Sequence, residues 1–160
     1  MTAVPVTFQD LRTLRLDTDA PEPDHIAQLQ DRKVEINGFV IPLGSADFSY
    51  FSLTKVPFNE CYFCYPPAAN EQVIVYNSAP PKFNVLKTPV RVVGRLDAGR
   101  KRDVNGFMTF YRMDAWSIEP ISEDILPKET RAELEDIRKA TKEIMDLQKQ
   151  LLNRSPSRKN

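Results

Sequence analysis

From residue 33 the chain alternates apolar and polar side chains with a period of two, the spacing of a half-buried strand. Val34, Ile36 and Val40 fall on one face, with Phe39 and Ile41 opposite. Gly38 sits where such a strand bulges or coils, and Pro42 marks its end. The same reading predicts strands over 48–56, carrying Phe51 and Leu53, and over 72–76. A further strand over 88–96 has Val90 and Val92 on one face and Gly94 as a second bend. Residues 97–105, with Gly99 and a basic cluster, read as a turn. The last strand, 107–116, sets Phe107, Thr109, Tyr111 and Met113 against Met108, Phe110 and Arg112. Five strands within about 85 residues, with no long helix between them, fit a meander or a Greek key. The expected fold is mainly β: a small OB-like antiparallel barrel of about five strands over 31–120, with a two-sheet sandwich as its rival.

On either side of the barrel the period changes. Residues 1–30 form a lead-in segment expected to pack on the barrel. Phe8 and Leu11 seed a short helical turn there, with Leu14 and Leu16 packing behind it. Pro21, Pro23 and Asp24 then break regularity and cap a turn over 25–29. The stretch 127–153 is helical, with Pro127 and Glu129 suited to a first turn. Leu134, Ile137, Ile144, Leu147 and Leu151 lie along one stripe of that helix, and Glu135 and Lys139 form an i, i+4 pair. The stripe suits docking on the chain's own barrel, or contact with a protein partner or a second copy. Thr141 and Gln148 interrupt a strict heptad seam. Residues 154–160 are polar and basic and are expected to be a disordered tail.

Composition narrows the class. An apolar fraction of 41%, with nine Phe and five Tyr, is enough to close one core. Thirteen Pro against five Gly favours short strands with stiff connections. Lys plus Arg and Asp plus Glu are each 22, so the global field draws the chain neither to nucleic acid nor to an anionic membrane, leaving only local patches to do so. No apolar run of ~18 residues is present, so no membrane-spanning helix is expected. Residues 1–16 show no basic segment followed by an apolar stretch. The expected location is therefore cytoplasmic if Met1 is the native start, and periplasmic or exported if the chain is a trimmed mature form.

The densest unusual stretch is 57–71, which holds both cysteines. A redox pair at Cys61 and Cys64 would want a helix N-terminus directly after it, whereas Pro66 and Pro67 follow. A Cys-x-x-Cys knuckle can aim two sulfurs at zinc or another thiophilic metal, but a closed site wants four ligands. His25 and Glu60 are the available helpers, unless two chains share the ion. A cysteine nucleophile with His25 as base would need the two within hydrogen-bond reach. Simple burial, or a local disulfide in an exported form, needs no further group. Tyr62, Tyr65, Pro66, Pro67, Asn70 and Glu71 complete the loop as a candidate binding surface. Arg95, the run Arg100-Lys101-Arg102 and the aromatics Tyr50, Phe107 and Tyr111 suggest single-stranded nucleic acid on an OB-like barrel. Basic turns are usually only solvated and a core needs those aromatics, so nucleic acid is not the expected partner. One His and no Gly-rich phosphate loop leave no catalytic constellation, and no enzyme is expected.

The order of motifs resembles a bacterial family known as domain of unknown function 3299. Residues 29–43, which read LQDRKVEINGFVIPL, are similar to its opening strand. The cysteine and proline segment that runs from Cys61 to Asn70, Glu71 and Gln72 is similar to its loop into the next strand. Residues 89–96, and Tyr111 to Met113 with Arg112 between, look like its last strands. The resemblance covers roughly 8–120 and implies a small β-barrel without an assigned activity. It also implies frequent export and an association with transporter systems, some of them metal-related; this chain departs in showing no export signal. It carries over no catalytic residue. The resulting expectation is a non-enzymatic binding or assembly module, an accessory to a transporter or envelope system, with metal handling at Cys61 and Cys64 and single-stranded nucleic-acid binding by the OB-like barrel as the alternatives.

Overall fold

The computed structural model of the chain describes residues 2–14, 23–44, 47–57, 68–78, 80–86 and 88–154. Among them are six strands: β1 (Val4–Val6), β2 (Lys33–Pro42), β3 (Tyr50–Thr54), β4 (Gln72–Asn77), β5 (Val90–Arg102) and β6 (Met108–Pro120). Three α-helices accompany them: α1 (Phe8–Leu11), α2 (Asp24–Ala27) and α3 (Lys128–Arg154). The sheet order is β1-β2-β3-β4-β6-β5, and β5 returns to pair with β2, closing a barrel of β2 to β6.

The barrel is mixed rather than antiparallel, which corrects the expectation from the sequence. β4 and β6 run parallel, while β2–β3, β3–β4, β2–β5 and β5–β6 are antiparallel. The reason is parity: a closed ring of five strands cannot alternate direction all the way round, so one neighbouring pair must share a direction. The sixth strand, β1, lies outside the ring and pairs in parallel with Val34 to Ile36 of β2.

Two glycines let the strands coil this tightly. Residues 33–38 of β2 pair with β5 and residues 39–42 pair with β3, so β2 changes partner at Gly38. A Cβ there would stand 2.7 Å from the Thr54 carbonyl oxygen and 3.0 Å from the Phe8 ring. Gly94 lies at a register shift between β5 and β6, where a Cβ would fall 2.1 Å from the Asp114 carbonyl oxygen. Both are the bends read from the sequence.

The barrel interior is filled by side chains such as Val34, Ile36, Phe51, Leu53, Val73 and Tyr111. The lead-in segment joins the same core through Phe8, Leu11, Leu14 and Ile26. A Thr7–Asp10 capping box starts α1, and the buried Tyr111 hydroxyl donates to the Leu11 carbonyl at 2.7 Å. Leu16 lies outside the described residues. Phe39 faces away from this core, as its alternation requires, and packs with Leu126 and Leu134 in a second cluster beneath α3.

The stretch read as a turn, 97–105, is mostly strand. β5 continues to Arg102, and the chain reverses between Asp103 and Phe107. A bulge between Ala98 and Lys101 absorbs the extra residues. Arg112, whose side chain is 5% exposed, holds that bulge together. Its guanidinium donates to the Asp97 carboxylate at 2.9 Å and to the carbonyls of Asp97 and Gly99.

Candidate functional site

Of the stretch 57–71, residues 57 and 68–71 are among the described residues. Glu60, Cys61, Tyr62, Cys64, Tyr65, Pro66 and Pro67 lie outside the described residues. Asn70 and Glu71, in a 3-10 turn leading into β4, serve the fold: the Asn70 amide donates to the carbonyls of Arg12 and Leu14, at 3.1 and 2.9 Å. Glu71 pairs with Lys55 at 3.1 Å, and Lys55 in turn reaches Glu133 of α3 at 2.9 Å. His25, on α2, has its Nε2 2.7 Å from the Thr13 hydroxyl. Among the described residues no group of three or more His, Cys, Asp or Glu could hold a metal.

The helical stripe divides along its length. Leu134 and Ile137 are buried, so the first part of α3 is docked on the barrel. Arg138 adds a two-pronged pair with Glu123, and the Arg138 hydrogen bonds, against some burial, hold that carboxyl below its ordinary range. From residue 142 onward every described residue is exposed. Ile144 is 37% exposed and Leu147 58%, and Leu151 is more exposed still. Met145 and Leu152, which the stripe did not include, are exposed as well and widen it into a broad apolar face. The signal for them was their seven-residue spacing beside Leu151 and Ile144. At 1.5 Å per residue this exposed stretch is roughly 20 Å long.

A second feature was invisible as a motif. A groove of about 410 Å³ runs between β4 and the β5–β6 hairpin, with Tyr76, Arg95, Lys101, Arg102 and Asp103 along it and Arg112 in its wall. Tyr50 stacks on Tyr76 at 5.5 Å between ring centroids and donates its hydroxyl to Asp103 at 2.5 Å. Burial, helped by the bond to Asp103, pushes the Tyr50 phenol up to about 12, and burial and the Asp103 charge raise Tyr76 too. Burial would raise the Asp97 carboxyl, but hydrogen bonds from Arg112, Lys101 and Gln30 outweigh it and hold it well below the usual range. Asp103 is likewise lowered, because Tyr50 and the amides of Phe107 and Asn105 outweigh its burial. These shifts lead away from neutrality, so the groups keep fixed protonation states rather than exchange protons.

The aromatic and basic residues that suggested nucleic acid do not line one stacking surface. Tyr111 is fully buried, which corrects its reading as a residue that could stack on a base. Phe107 is exposed, but on the hairpin tip, and Tyr50 is held against Tyr76 and Asp103. Arg95 pairs with Asp114, and Lys101 with Asp97.

No curated protein matches the chain. Among solved structures it is similar to a DUF3299 family protein from Pseudomonas aeruginosa PAO1, with 17% identity and a TM-score of 0.54 over 76% of this chain and 98% of that one. At that identity the likeness shows the fold alone. The family model described as "Protein of unknown function (DUF3299)" matches residues 8–120, which takes in the lead-in helix and all five strands of the closed barrel. The chain therefore belongs to the DUF3299 family, with α3 standing beyond the family's match.

Proposed function

We propose that the protein is a non-enzymatic assembly module, in which the barrel is the rigid platform and the outer part of α3 makes the contact. The observation that carries this reading is the step in exposure along one apolar stripe. Leu134 is 2% exposed and Ile137 9%, whereas Leu147 is 58% exposed on the same helix. A stripe that continues past its own docking site has apolar surface for another protein to cover. A second copy of the chain is the simplest occupant. A transporter or envelope complex is the setting that the family resemblance suggests.

The test is sedimentation velocity on the full chain and on an Ile144→Glu, Leu147→Glu double variant, with circular dichroism as a check on folding. Self-association of the full chain, lost in a folded variant, is the expected result. A full chain that stays monomeric across the concentration range sinks the second-copy form of the proposal. Identical partner capture by both proteins, with only monomers present, sinks the helix as the contact.

A further inference from the structure

The tip of the β5–β6 hairpin carries a separate inference, independent of the helix. Three apolar side chains crowd this reversal of the chain: Val104 is 87% exposed, Phe107 59% and Met108 48%. Scattered apolar residues on a surface need no explanation, but three within five positions concentrate exposed apolar surface at one turn.

The turn is also rigid, and it conceals its own acid. The Asp103 amide donates to the Phe107 carbonyl at 2.9 Å and the Gly106 amide to the Asp103 carbonyl at 3.0 Å. Gly106 takes the positive φ of +85° that the reversal requires. The Asp103 carboxylate faces inward, accepting from the amides of Asn105 and Phe107 and from the Tyr50 hydroxyl. The outer surface of the turn is therefore left to its apolar side chains and to the uncharged Asn105.

Behind the tip stands a cationic collar. Arg100, Lys101 and Arg102 are all exposed. Arg100 lies over the Phe110 ring, Lys101 pairs with Asp97, and Arg102 donates to the Gly106 carbonyl. Among the described residues, the exposed cations beside the tip are therefore Arg100, Lys101 and Arg102, on a chain of zero net charge, while the Asp103 carboxylate is turned inward. An apolar point backed by cations matches the layering of an anionic bilayer, with hydrocarbon beyond a plane of phosphates. A protein groove would have to supply apolar depth and an acidic rim together.

We propose that the β5–β6 hairpin tip is a membrane-contact site: Val104, Phe107 and Met108 enter the interface of an anionic bilayer while Lys101 and Arg102 meet its phosphates. Because hydrogen bonds already fix the turn, insertion orders little extra chain and the contact is that of a pre-shaped wedge.

The test is co-sedimentation of the full chain with vesicles of equal parts phosphatidylglycerol and phosphatidylcholine, and with vesicles of phosphatidylcholine alone. Binding to the first, weakened by salt and absent from the second, is expected. Val104→Asp with Phe107→Asp should weaken it at least about tenfold, because burying those two side chains is worth more than one decade of affinity. Both positions are exposed, and an unchanged melting curve verifies the fold. A Phe107→Trp reporter in a Trp116→Phe background should shift its emission to the blue on anionic vesicles only. Equal binding to both lipids, or binding that survives the tip variant and disappears with Ile144→Glu and Leu147→Glu, overturns the proposal and gives the contact to the helix. No vesicle binding, with a crosslinker at position 104 capturing a protein instead, overturns it in favour of a protein partner.

Discussion

The Arg112 guanidinium meets the Asp97 carboxylate at 2.9 Å across the β5–β6 ladder, with only 5% of the arginine side chain exposed. The same guanidinium bonds the Thr109 hydroxyl at 2.7 Å and the Gly99 carbonyl at 2.9 Å. One buried cation thus substitutes for the ladder bonds that the bulge interrupts. Arg112→Met should cost about 2–4 kcal/mol, since Asp97 and the bulge carbonyls lose their donor and only Lys101 and Gln30 remain on the carboxylate. Arg112→Lys should recover part of that, because one ammonium cannot span all these acceptors. Urea denaturation of the three proteins checks the order.

Acid should reveal the same pair. The folded Asp97 carboxyl lies below its unfolded value of 3.8, so its contribution to stability is fully present above that value and is lost as the pH falls below it. Asp97→Asn should flatten the acid limb of the stability–pH curve. An unaltered limb would mean that other carboxylates govern acid unfolding.

Gly94 and Gly38 should tolerate alanine far less well than Gly44. A methyl at Gly94 meets backbone atoms of Asp114 and Ala115 that no rotamer change can move, and we expect Gly94→Ala to cost about 3 kcal/mol or more. Gly44 has open space around its Cβ position, and only its φ of +95° opposes a side chain, so Gly44→Ala should cost about 1 kcal/mol. Thermal melts of the three alanine variants give the ranking.

Along α3, truncation should read out the docked and projecting parts separately. Leu134→Ala removes a buried contact to Phe39 and Leu126 and should cost about 2–4 kcal/mol. At concentrations where the chain is monomeric, Leu147→Ala should change stability by no more than about 0.5 kcal/mol. Equal losses at the two positions would show that the outer part of the helix is buried in solution.

The phenols offer a spectroscopic check. Tyr50, raised to about 12, is favoured in its neutral form by folding, so its contribution is present below pH 10.0 and fades as the pH climbs through 12. Ultraviolet titration should show a late phenolate step. Asp103→Asn, which removes the charge facing both rings, should bring that step to lower pH.

The barrel was legible because its strands alternate cleanly and because Gly38 and Gly94 interrupt them where steric room runs out. Five closed strands require a parallel pair by parity, but which pair it is, β4–β6, is not written in any local pattern. The hairpin arm over 97–102 was not. Its glycine and charges have turn composition, and only Arg112, distant in sequence, makes a bulged strand of them. β1 was missed because three residues, one of them Pro5, carry too little period to register. The Tyr50–Asp103 and Asp97–Arg112 contacts join residues far apart in sequence, so no local pattern could announce them. The stripe on α3 was plain, but its division into a docked and an exposed part depends on where the barrel surface ends.

The partner change at Gly38 also sets the order in which the ring can be assembled. β5 and β6 are neighbours in the chain and form the longest ladder, whereas β2 must find β5 from more than fifty residues away. Closing that distance costs chain entropy before any contact repays it, so ring closure is the slow event. Gly38 stands at the seam between the half of β2 that completes the ring and the half that meets the adjacent β3. A replacement there burdens the closing step itself, and should slow refolding as well as weaken the folded state, which stopped-flow refolding of Gly38→Ala would register.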